Sequence, residues 1–168
     1  MISTLQYFWN RNEQAGQTLT ADLGVDIFAS QPREAMNHPA WILSHLNAYY
    51  PAILGVIRGE TFADPKEAEF GMKSRPLPDP SIYASPESLR EAFARGHREV
   101  DEALQAEGES ALQRPVTLAR WRDAMPDTAA VLMNLLVWHE TYHLGQLSAW
   151  RRAMGLPAAE FLPLPPRP

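Results

Sequence analysis

The residues best suited to chemistry lie near the C-terminus, in Leu135-Leu136-Val137-Trp138-His139-Glu140-Thr141-Tyr142-His143-Leu144-Gly145-Gln146-Leu147. His139 and His143 are four apart, so on a helix they project from one face, one turn above the other. Two imidazoles in that arrangement can grip one metal ion. Leu132, Leu136, His139, His143, Gln146 and Trp150 recur at heptad-like spacing, which predicts that this face is a buried seam. An unpartnered polar ring in such a seam is costly. Something must satisfy the two histidines, or the helix is phased differently.

Catalytic zinc sites commonly use three protein ligands and one open position. Three other histidines are available. His45 shares an apolar helical face with Ile42, Tyr49 and Ile53 and is the favoured third ligand. His38 stands at a helix start and reads as a cap or a solvent-facing group. His97, between Arg95, Arg98 and Glu99, reads as a residue of an exposed face. The string His139-Glu140-Thr141-Tyr142-His143 also matches H-E-x-x-H, in which Glu140 would be the general base of a zinc protease. Two features weigh against a protease. No histidine follows His143 and Glu160 sits in a Pro-flanked tail, so a downstream third ligand is missing; nor is there an edge strand on which a peptide could be held. Otherwise Glu140 is a surface acid beside a buried histidine, or a group that supports the metal ligands from behind.

Four helices are predicted to position these groups. The first covers about Ser3 to Leu23, with Leu5, Phe8, Asn12, Ala15, Leu19 and Leu23 on one side. The second opens at Asn37-His38-Pro39, where a first-turn proline is tolerated, is interrupted by Pro51 and stops at Gly59. Residues 60–84 read as a long loop with Phe70 and Met72 as anchors, suggesting a lid or a mobile segment. Ser85-Pro86-Glu87 starts the third helix with a cap, a first-turn proline and a first-turn acid. Leu89, Phe93, Gly96, Val100 and Ala103 line its inner face, and Gly108 closes it. Residues 109–125 form a second long connection. The fourth helix runs from about Asp127 to Arg152 or Ala153, where Arg151 and Arg152 suit its dipole. No segment alternates as a strand does, so the expected architecture is an all-α four-helix bundle, residues 1–155, followed by a Pro-rich tail, residues 156–168.

Composition narrows the function classes. The 168 residues are 45% hydrophobic and 21% charged, the balance of a soluble globular domain. A net charge of -5 and the lack of a basic cluster argue against nucleic acid as a partner. The N-terminus lacks a signal peptide's pattern and the longest apolar run is too short for a bilayer, so no membrane partner and a cytoplasmic location are expected. With no cysteine in the chain, disulfides, thiolate ligands and a protein thiol nucleophile are excluded.

The stretch Trp138–Leu147 resembles the last-helix motif of the DinB/YfiT-like metalloprotein superfamily, and Ala40-Trp41-Ile42-Leu43-Ser44-His45-Leu46 resembles its helix-two motif. The resemblance implies a DinB-like four-helix bundle whose metal ligands are His45, His139 and His143. It also implies pairing into a homodimer and a reaction like that of relatives that are thiol-dependent transferases or isomerases using low-molecular-weight bacterial thiols. The long 60–84 connection and the Pro-rich tail depart from compact members. Three neutral imidazoles suit a divalent ion such as zinc or nickel. Three functions stay open: a thiol transferase acting on a small molecule with a thiol cosubstrate; a metal-dependent hydrolase with Glu140 or bound water as base; or a non-enzymatic metal- or small-ligand-binding bundle, in which Glu140 or Gln146 would close the metal site.

Overall fold

The computed structural model describes residues 1–161; residues 162–168 of the Pro-rich tail lie outside the described residues. The described chain is all-helical. The helices are α1 (Ile2–Thr20), α2 (Pro39–Arg58), α3 (Pro86–Glu107), α4 (Ala119–Ala124), α5 (Thr128–Met133) and α6 (Glu140–Ala153). A π-helical turn, Asn134–His139, joins α5 to α6, so the predicted fourth helix is α5, this turn and α6 in one continuous rod. α3 packs between α1 and α2, and α6 closes the bundle against α1 and α2.

Local chemistry sets the helix ends. α2 begins with Pro39 in its first turn, and the Nδ1 of His38 caps it by accepting from the Trp41 N–H at 3.3 Å. It ends at Gly59, whose φ of 71° is the left-handed conformation that favours glycine. α3 begins at the predicted cap, with Ser85 Oγ accepting from the Ser88 N–H. The 109–125 connection is less open than expected: it contains a 3₁₀ segment, Gly108–Gln113, and the single-turn α4, which buries Trp121. Six residues carry too little periodicity to reveal a helix in sequence.

The buried faces differ from expectation at three places. On α1 the inward stripe is Ile2, Leu5, Trp9, Asn12, Gly16 and Leu19, while Phe8 faces solvent. On the last rod the stripe changes phase. Val131 and Leu132 before the π-turn and Leu135 and Leu136 within it are buried, whereas Glu140, His143, Leu144, Leu147, Trp150 and Arg151 are buried after it. An α-helix repeats every 3.6 residues, and a π-turn adds one residue and rotates everything beyond it by about 100°. That shift brings Glu140 inside. The third difference is His97, which is buried beside Gly96 rather than exposed. Arg151 is also buried: its guanidinium pairs with Asp22 and donates to the carbonyls of Leu19 and Pro157. Among the described residues no helix is long and apolar enough to cross a membrane.

Candidate metal centre

The inner face of α2, the end of the π-turn and the start of α6 bring His45, His139 and His143 together. One donor atom from each can be chosen so that all three lie within 4.8 Å of one another, and no carboxylate among the described residues joins the group. His45 and His143 are buried and His139 is partly buried. His45 Nε2 and His139 Nε2 stand 3.0 Å apart.

Each ring is oriented by its surroundings. His45 Nδ1–H donates to the Phe70 carbonyl at 2.6 Å, which leaves its Nε2 lone pair facing the cluster. His143 Nδ1–H donates to Gln146 Oε1 at 2.9 Å, and the same oxygen accepts from Asn37 Nδ2 at 2.8 Å. Gln146 therefore orients His143, and its carbonyl oxygen is already engaged in doing so. The Trp41 ring stacks on His45 at 4.8 Å, and Tyr49 packs against His45 and His139 at 4.9 and 4.6 Å.

The 60–84 connection supplies part of this scaffold. Phe70 stacks on Tyr83, its carbonyl holds His45, and Ser74 Oγ accepts from Trp41 Nε1 at 3.0 Å. Further along, the Leu77 carbonyl accepts from His38 Nε2–H at 3.0 Å. His38 is thus a buried cap with both ring nitrogens bonded, not a solvent-facing group or a ligand. Arg120 forks onto Asp64, tying α4 to the start of the same connection, and the two charges are felt at the Tyr49 hydroxyl. Sequence reasoning missed Phe70 as a ring-orienting partner because the contact is through its backbone oxygen.

Electrostatics favour neutral rings. Burial, reinforced by His143 and His45, lowers His139 to about 3. Burial and the nearby His45 lower His143 to about 4. Burial also lowers His45, against the opposing pull of the Phe70 carbonyl. At neutral pH all three are unprotonated, the form in which an imidazole binds a metal.

The donor set fits a divalent ion. Two imidazoles about 2.0–2.1 Å from one tetrahedral ion stand about 3.3 Å apart, close to the His45–His139 separation. Both orienting bonds use the Nδ1–H, so the nitrogens left over are the ones that converge.

Glu140, the other sequence-predicted site residue, is not brought into this cluster. It follows His139 by one position, so it points about 100° away around the helix. Its Oε1 accepts from His97 Nε2 at 2.9 Å, and Tyr50 Oη lies at 3.5 Å.

Comparison with curated proteins and with solved structures finds no match. Comparison with protein families finds one, the DinB superfamily, over residues 9–147. That span holds His45 of α2, His139 of the π-turn and His143 of α6. With most of its 168 residues matched and its helices arranged as a bundle around that cluster, the chain belongs to the DinB superfamily.

Proposed function

We propose that this protein binds a divalent metal, zinc or nickel, through His45, His139 and His143, and uses it to transfer a low-molecular-weight thiol onto a small electrophilic substrate. The observation that carries this reading is the convergence of three neutral imidazoles, two of them held by hydrogen bonds at Nδ1, with no carboxylate among the described residues joining them. A site built for structure alone is normally closed by a fourth protein ligand. Here the Gln146 oxygen is occupied by His143 and Asn37, and Glu140 is held by His97.

When bound, the metal supplies Lewis acidity that lowers the pKa of a coordinated thiol. The chain's own residues hold and orient that site. The Phe70 carbonyl and Gln146 fix the two donor tautomers, Trp41 and Tyr49 wall the cluster, and burial keeps the Tyr49 phenol protonated. The nucleophilic sulfur comes from a cosubstrate, because the chain has no cysteine. The hydrolase reading is weaker, since its proposed base, Glu140, faces α3 and His97.

Metal content by mass spectrometry on untagged protein tests the site. Near-stoichiometric metal is expected in wild type and its loss in His45→Ala, His139→Ala and His143→Ala. Metal-loaded protein should then conjugate a bacterial thiol to at least one electrophile of a broad panel. Wild-type protein that stays metal-free after reloading with zinc or nickel would end the metal reading, and metal-loaded protein inactive across the panel would end the transferase one.

A further inference from the structure

The buried pair of Glu140 and His97 has no place in that mechanism, yet it is among the least exposed polar contacts in the molecule. The two side chains are 2% and 0% exposed, and they meet at 2.9 Å between α6 and α3. Neither is fully satisfied: Glu140 Oε2 and His97 Nδ1 have no hydrogen-bond partner among the described residues. Replacing a buried polar pair by packed apolar groups is often neutral or stabilising, so such a pair is better explained by geometric specificity than by stability.

The geometry at stake is the rotation of the last rod. His139 and Glu140 are consecutive, one facing α2 and the other α3. They also stand where the π-turn ends and α6 begins. π-Turns are rare and local, and such an extra residue needs an external contact to fix where it sits. Three contacts to the rod do so here, one of them braced by Trp9. His97 holds Glu140, and the Trp9 ring stacks on His97 at 3.9 Å while Trp9 Nε1 donates to the His97 carbonyl at 3.0 Å. From α1, Asn12 Nδ2 donates to the Leu136 carbonyl inside the turn at 3.1 Å. The Asn12 Oδ1 accepts from Thr141 Oγ1, just past the turn, at the same distance.

We infer that Glu140 and His97, with Asn12, are positioning residues that fix the π-turn and the rotation of α6, and thereby hold His139 against His45. This rests on the three-histidine metal reading. Side-chain atoms lie about 5–6 Å from a helix axis, so a rotation of about 10° displaces a ring nitrogen by about 1 Å. Metal–ligand distances tolerate about 0.2 Å. A small slip of the rod is therefore enough to disconnect His139. The hydrogen bond, rather than the charge, does the positioning.

The test uses full-length protein and cobalt(II), whose visible d–d absorption reports ligand geometry, with zinc affinity measured by chelator competition. Glu140→Gln keeps an oxygen that accepts from His97 and should match wild type in spectrum and within about threefold in Kd. Glu140→Ala and His97→Ala should bind about 10–100-fold more weakly, the usual effect of removing a group that orients a ligand, with an altered cobalt spectrum and retained helical circular dichroism. Leu104→Ala, a core truncation in α3 away from this contact, should lower the Tm but leave the cobalt spectrum unchanged. If Glu140→Ala fails to fold, Asn12→Ala, which frees the turn from the α1 side, carries the same expectation. A folded Glu140→Ala with wild-type spectrum and Kd would overturn the inference, and so would Glu140→Gln losing as much as Glu140→Ala. Wild-type protein that takes up neither cobalt nor zinc would instead defeat the metal reading, and this inference with it.

Discussion

Acid competes with metal for imidazole nitrogens, and the structure sets how strongly it does so here. An imidazole of ordinary pKa, near 6.5, is about 97% protonated at pH 5 and gives up about 1.5 decades of metal affinity; a pair gives up about three. His139 and His143 are lowered to about 3 and about 4, so at pH 5 only about a tenth of the pair is protonated. These two ligands should therefore lose less than about twofold between pH 7 and pH 5, and only near pH 3 should their combined loss reach about 20-fold. Competition against a chelator of known proton affinity, read between pH 5 and pH 8 with circular dichroism to confirm folding, measures this directly. A 100-fold or greater weakening by pH 5 in folded protein would show that the rings are not desolvated as the structure has them. Metal-free protein should show the linked effect on stability. A lowered folded-state pKa means that the unfolded chain binds more protons between about 6.5 and the folded values. Stability is then full above about pH 6.5 and falls as pH drops through that window.

Gln146→Ala removes the acceptor that fixes the His143 tautomer and should weaken metal binding about 10–100-fold with little change in Tm, as read by chelator competition. Gly96→Ala places a methyl 1.9 Å from Tyr50 Cδ2, where α3 crosses α2; urea denaturation should show a loss of about 1–3 kcal/mol. Arg151→Ala deletes a buried guanidinium that ties α6 to Asp22 and the Leu19 carbonyl, and should destabilise by about 2–3 kcal/mol in the same assay while leaving metal content unchanged.

Much of the candidate site is visible in the chain itself. His139 and His143 are paired by spacing alone, and His45 stands out because it shares a face with Ile42, Tyr49 and Ile53, all of which are buried. Capping signals mark both ends of α2 and of α3, because caps are local chemistry of a few adjacent residues. Single-period reasoning gives way at the π-turn. It assumes 3.6 residues per turn throughout, so it cannot follow the buried stripe across the turn to Leu144 and Arg151. His97 differs: helical spacing puts it with Phe93, Val100 and Leu104 on the buried face, and only its charged neighbours disguise it. Its sequence neighbours Arg95, Arg98 and Glu99 are charged, but its own position follows Gly96 on the buried face.

By itself, the sequence determined the four long helices, most of their ends and the three residues able to share an ion, since each follows from local spacing, turn chemistry or a short motif. Only the tertiary structure decided that a backbone carbonyl of the 60–84 connection holds His45 and that Gln146 serves His143. It alone decided that Glu140 turns to α3 instead of to the histidines. Those outcomes depend on which surfaces meet across the bundle and on one extra residue in a turn. Neither leaves a periodic trace along the chain.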